Sequence, residues 1–239
     1  MSGEGLVSRV GGVLAINQFL YTKLAYDPEK AFEPVINLAS TPNLIVVNKD
    51  VPAASLQELI QLAKNRPGSI TYASAGVGSS THLTAERMLQ SAGITAIHVP
   101  FRGGGFQPEI IAGRVDFAYS PIATCLPNIK EGNLQALAVS GAKRASSLPD
   151  VPTTLEAGFT DSDYVIWVGL FFPAKTPREI VDRLHDEAIK ALQSPAVRDR
   201  FAQLDVEPMP MSPAEFDQLI RKEIVSNAAL ARAVGLKAD

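Results

Sequence analysis

Between Ser55 and Val139 the chain alternates helix-type and strand-type segments without a break. Ser55-Leu56-Gln57-Glu58 is a capping-box pattern, followed by Leu59, Ile60 and Ala63 at helical spacing. Short β-branched and aromatic runs then recur at Ile70–Ala73, Ile97–Val99, Val115–Tyr119 and Leu134–Val139, with helix-type stretches between them. Parallel neighbours need a crossover, and a helix is the usual one, so this order predicts an α/β fold: a parallel or mostly parallel sheet with helices on both faces. Ligands of such sheets bind at the carboxyl ends of the strands.

Two segments break the rhythm. Thr41-Pro42-Asn43-Leu44 separates two apolar runs with no helix between them, and Tyr164 to Pro173 is a long apolar run with aromatics and no preceding crossover helix. Both are read as strands crossing between two lobes, with hinges at Ser40–Asn43 and Asp163–Trp167. Residues 1–43 with 164–239 then form one discontinuous, incomplete lobe, and residues 44–163 the other. The first lobe offers a strand at Leu6–Val10, a short helix at Leu14–Leu24 and three carboxyl-terminal helices. Those helices open at Thr176-Pro177-Arg178-Glu179, read as a second capping box with the stripe Ile180, Leu184, Ala188 and Leu192, at Ser194-Pro195, and at Ser212-Pro213-Ala214-Glu215. Helices need a sheet against which to bury their apolar faces, so two or more strands are expected beyond those visible.

The segment richest in chemistry is Ile70 to Leu83. Its strand-type start ends in a loop of Gly, Ser and Thr that feeds a helix-type run from Thr81. The first turn of a helix leaves N–H groups unpaired and carries partial positive charge. Gly76 and Gly78 permit close approach to the backbone, and Ser74, Ser79, Ser80 and Thr81 add hydroxyls. The loop is read as half of a site for a small carboxylate; the alternative is a helix cap and tight turn with no ligand.

Net charge of −3 and scattered basic residues argue against a nucleic-acid partner. Cys125 is the single cysteine, which excludes an internal disulfide and a cysteine metal cluster and reads as a small buried hydrophobe. Three dispersed histidines make no metal site, and no cofactor is implied. No apolar run approaches a membrane span, and Met1–Ile16, interrupted by Gly11 and Gly12, is a poor signal peptide.

Ordered matches along nearly the whole chain carry a family resemblance. They include Leu24-Ala25-Tyr26-Asp27-Pro28, Ala39-Ser40-Thr41-Pro42-Asn43, Tyr72 through Leu83, His98-Val99-Pro100-Phe101-Arg102-Gly103-Gly104-Gly105, Gly113-Arg114-Val115-Asp116, and Leu148-Pro149-Asp150-Val151-Pro152-Thr153. The chain resembles the periplasmic solute-binding proteins of tripartite tricarboxylate transporters, the Bug family. The resemblance implies a type II periplasmic-binding-protein fold, two lobes closing over a small organic acid, membrane transporter subunits as partners, a periplasmic location and a monomer without enzymatic activity. It implies ligand contacts from Ser74, Ala75, Gly76, Ser79, Ser80, Thr81 and His82, from the Arg9–Leu14 region including Gly12, and from Ser120 and Pro121. Family members carry two further strand–helix units ahead of the segment matching Leu6–Tyr21, so the sequence is expected to be a shortened member.

Other residues have plainer readings. His98 is structural, His185 faces solvent, and Trp167, Phe171 and Phe172 are core of the crossing strand; Trp167 also suits a cleft lining. Gly103-Gly104-Gly105 lacks the Lys-Ser/Thr of a phosphate loop and is read as a turn, with Arg102 beside it as a charge for a carboxylate or a surface pair. Two functions of other classes compete with solute binding. A serine hydrolase would act through Ser79 or Ser80, although no Gly-x-Ser-x-Gly elbow is present. A flytrap-type effector-sensing domain would need a DNA-binding neighbour.

Overall fold

The computed structural model describes residues 7–10 and 14–236. In chain order the elements are β1 (Val7–Val10), α1 (Asn17–Leu20), β2 (Phe32–Asn48), α2 (Leu56–Asn65), β3 (Thr71–Ser74), α3 (Ser80–Ala92), β4 (Ile97–Pro100), α4 (Gln107–Ile111), β5 (Phe117–Pro121) and α5 (Ile122–Lys130). There follow β6 (Leu134–Val139), β7 (Val165–Pro173), α6 (Arg178–Gln193), α7 (Pro195–Gln203), β8 (Glu207–Pro208) and α8 (Pro213–Val234). The chain divides into two compact units, residues 1–40 with 166–239 and residues 41–165. Their limits fall at Ser40/Thr41 and Val165/Ile166, against Asn43/Leu44 and Asp163/Tyr164 read from the sequence.

In the unit spanning 41–165, the strand order is β6-β2-β5-β3-β4. β3 runs parallel to β4 and β5, whereas β2 is antiparallel to both β5 and β6. The helix–strand alternation therefore yields four strands of one direction, and β2 enters against them because it arrives from the other unit rather than through a crossover. The two apolar runs flanking Pro42 are one continuous strand, not two. Proline, with no N–H, is tolerated where the strand changes partners: β2 pairs with β8 up to Ser40 and with β5 from Asn43.

Period-two alternation buries both faces of this sheet. Ile45, Val47, Tyr72, Phe117 and Tyr119 pack on one side against Leu56, Leu59, Ile60 and Met88 of α2 and α3. Leu44, Val46, Ala73 and Ala118 pack on the other against Phe106, Ile110 and Ile122. The Ser55 side chain accepts the Glu58 N–H, starting α2 where the capping pattern indicates.

In the unit formed by 1–40 and 166–239, β1 pairs antiparallel with β7, β7 lies beside β2, and β8 pairs with β2. Trp167, Phe171, Phe216, Ile220 and Ile224 form one cluster there; Val35, Ile36, Val181, Ala188 and Leu192 form another. The Trp167 indole N–H donates to the Glu223 carboxylate. Gly169 lets the Phe216 ring of α8 pack onto β7, since a Cβ at that position would lie 2.2 Å from the ring. Ser212 and Glu215 complete a reciprocal capping box for α8.

Three local expectations are corrected. Thr176 does not cap α6: its hydroxyl donates to Pro173 O, and the helix begins one residue later behind Pro177. Its buried face carries Val181 in place of Ile180, which is 48% exposed. His185 is half-buried rather than solvent-facing, with Val181 and Ala188 burying the same side of α6.

Candidate functional site

A pocket of about 420 Å³ opens in the 41–165 unit. Three loops build it, and each follows the carboxyl end of a strand with the common direction: Ala75, Ser80 and Thr81 after β3, Gly103 to Pro108 after β4, and Ser120, Pro121 and Thr124 at the end of β5. This is where parallel strands direct their helix N-termini and leave a crevice.

The loop after β3 ties off most of its own donors. The Ala75 N–H donates to Thr81 Oγ1 at 2.9 Å, Gly76 N–H to Ser74 Oγ at 3.1 Å, and Gly78 N–H to His82 Nδ1 at 3.0 Å. Ser79 is the N-cap of α3, its Oγ accepting the His82 N–H at 3.3 Å. The amides of Ser80 and Thr81, the first two of this 13-residue helix, have no partner among the described residues. Positive φ at Gly76 (122°) and Gly78 (74°) makes the turn, a conformation costly to residues with a Cβ.

The structure thus separates the residues singled out in the sequence. Ala75, Ser80, Thr81, Ser120 and Pro121 line the pocket. Ser74, Gly76, Ser79 and His82 lie outside its lining and shape the loop from behind. Gly12 lies outside the described residues. The imidazole of His82 is buried and points inward: Nδ1 accepts from Gly78, so the ring proton sits on Nε2, 3.7 Å from Glu86 Oε1. His98 stacks on it, with centroids 3.9 Å apart, and its Nε2 lies 2.6 Å from Ser74 Oγ. The Tyr72 hydroxyl donates to Glu86 and its ring stacks on His98.

The charges of this buried cluster follow from its surroundings. Burial brings His98 down to about 4 against the pull of Glu86. Burial pushes the Glu86 carboxyl up, but the His82 ring 3.7 Å away and the hydrogen bond from Tyr72 outweigh it and hold the group below its ordinary value. Burial and the Glu86 carboxylate push the Tyr72 phenol far up.

Sequence reasoning missed Gln107, Thr124 and Gly103–Gly105 as pocket residues. The glycines do form a turn, with positive φ at Gly103 and Gly104, and that turn borders the pocket. The rule that ligands bind at carboxyl ends of parallel strands applied equally to the loop after β4 and would have pointed to Gln107. Arg102 is exposed and outside the lining, and the described lining contains no charged side chain. The single cysteine, Cys125, is buried beneath Pro121 with its thiol pushed up to about 12 by burial.

The mixed sheet, the two-unit chain path and the pocket at the strand ends define the chain as a periplasmic-binding-protein-type α/β protein. The tripartite tricarboxylate transporter family receptor description matches residues 5–236, and the chain belongs to that family. A structure described as R. palustris Rpa4515 with adipate superposes with a TM-score of 0.87 at 29% identity, over 98% of this chain and 79% of the other. MatC (Rpa3494) from Rhodopseudomonas palustris with bound malate gives a TM-score of 0.81 at 29% identity, over 94% of this chain and 78% of the other. Among curated relatives, the UPF0065 protein in the tcbD-tcbE intergenic region of Pseudomonas sp. (strain P51) is 32% identical over 212 residues, 88% of this chain. The chain spans 63% of that relative's length.

Proposed function

We propose that this protein is a non-catalytic, periplasmic solute-binding component of a tripartite tricarboxylate-type transporter, and that it binds a small organic carboxylate in the pocket of the 41–165 unit. The observation that carries the reading is the pair of amides at Ser80 and Thr81, without a partner among the described residues and set at the positive end of α3, in a pocket whose other lining combines glycines, hydroxyls and the Gln107 amide with the apolar Ala75, Phe106, Pro108 and Pro121. A carboxylate accepts from such donors without a cationic side chain. The relatives with adipate and malate support small dicarboxylates as the first ligands to try.

Geometry weighs against a hydrolase acting through Ser79. The Ser79 oxygen serves as a helix cap, and the His82 ring is engaged by Gly78 and stacked on His98, so neither supplies the hydroxyl–imidazole pair that an activated serine needs. Calorimetric titration of the full chain with adipate and malate tests the proposal. Saturable binding of either acid at one site, with a matching rise in thermal midpoint, is the expected result; absence of both effects for every small carboxylate tried overturns it.

A further inference from the structure

The part of the pocket formed by the end of β5 and the start of α4 carries a hydrogen-bond chain whose direction is fixed at one end. The Thr124 hydroxyl donates to Pro121 O at 2.7 Å. A hydroxyl has one proton, so Thr124 Oγ1 accepts at its 3.0 Å contact with Ser120 Oγ, and Ser120 is the donor. The Ser120 proton is then committed, and its oxygen must accept from Gln107 across 3.5 Å. In a side-chain amide only the nitrogen donates. Gln107 therefore turns Nε2 toward Ser120 and Oε1 toward Asn128, whose Nδ2 donates at 3.3 Å. One backbone carbonyl orients the whole chain, and the second hydrogen on Gln107 Nε2 has no partner among the described residues.

We propose that Gln107 is the specificity-determining residue of this pocket. Its uncommitted N–H reads an acceptor oxygen at the second end of the ligand, while Ser80 and Thr81 hold the first carboxylate. Thr124 and Asn128 are positioning residues that keep the amide in this orientation. The ligand class is then an acid with a second oxygen acceptor, a carboxylate or carbonyl, in preference to one ending in a methyl group. This inference rests on the carboxylate reading of the same pocket.

The test compares matched acids by calorimetry on the full chain: adipate with hexanoate, and malate with 2-hydroxybutyrate. Each pair differs in the second carboxylate. Gln107→Glu preserves shape but replaces the donor with an acceptor. It also adds a negative charge that both acids of a pair meet, so the dicarboxylate is expected to weaken by roughly tenfold or more beyond the loss shown by its single-acid partner. Thr124→Val removes the anchor to Pro121, frees the Ser120 proton and lets the amide turn, so it lowers the ratio of dicarboxylate to single-acid affinity, and Thr124→Ser restores it. A ratio unmoved by Gln107→Glu, or equal losses for both acids of a pair, overturns the inference alone. Failure of the unaltered chain to bind any of the four acids overturns the carboxylate reading and this inference with it.

Discussion

The imidazoles of His82 and His98 stack 3.9 Å apart with planes 12° from parallel, directly behind the loop that lines the pocket. One ring accepts from the Gly78 amide, and the other contacts the Ser74 hydroxyl. Both contacts hold the loop between β3 and α3, so the protonation of His98 bears on the shape of the site.

Stability should fall on acidification. His98 has an ordinary value of 6.5 and is held down to about 4 in the folded protein. Between those values the unfolded chain binds more protons than the folded one, so unfolding becomes easier as pH drops through the window. Glu86, held below its ordinary value, adds to the loss at the lower end. Urea midpoints should decline between pH 6.5 and about 4, and His98→Gln should flatten that decline. An identical slope in the variant would show that the stacked pair does not control it.

Ser79 serves as the N-cap of α3, and its loss should cost stability locally. Ser79→Ala is expected to destabilise by about 1 kcal/mol, and Ser79→Gly by only a few tenths. Equilibrium urea unfolding reads both. Equal losses in the two variants would mean that the Oγ–Thr81 contact at 3.0 Å, rather than the cap geometry, carries the effect.

Gly169→Ala should be among the more damaging small substitutions. The new methyl would lie 2.2 Å from Cζ of the fully buried Phe216 and 3.1 Å from Ile36 O. The ring cannot stay in place, and overpacking of this kind costs about 1–3 kcal/mol. Pairing the change with Phe216→Leu should recover part of the loss, because the shorter side chain vacates the clash. A double variant no more stable than Gly169→Ala alone would mean that backbone crowding at Ile36, not the ring, is decisive.

Much of this fold was legible because its signals are local. The cap at Ser55 and the box at Ser212 and Glu215 are set by residues three apart, and the helices begin there. The antiparallel placement of β2 was not legible, since strand direction depends on a partner distant in sequence. Thr176 misled because a proline two residues upstream of the first glutamate suits either a cap or a preceding turn, and the carbonyl of Pro173 won its hydroxyl. In the site, the loop after β3 announced itself by composition. Gln107 and Asn128 did not, because their pairing across 21 residues is created by the fold. The inward turn of His82 was hidden for the same reason: its partners Gly78 and Glu86 lie four residues away on either side, but its stacking partner His98 sits on β4.

The amide of Ser80 can be removed without removing the helix. Ser80 is the first helical residue, the position where proline is best tolerated because no intrahelical bond is lost. Ser79, ahead of it, already has extended geometry (φ −65°, ψ 159°), which a following proline requires. Ser80→Pro should therefore fold with nearly unchanged stability while deleting one of the two helix-start amides that have no partner among the described residues. Ser80→Ala deletes the hydroxyl and keeps the amide. If the amide receives the ligand, Ser80→Pro loses roughly tenfold or more in affinity for the carboxylate that binds, a charge-assisted hydrogen bond's worth, whereas Ser80→Ala loses much less. Equal losses in both variants would assign the contact to the hydroxyl, and no loss in either would remove the helix start from the site altogether.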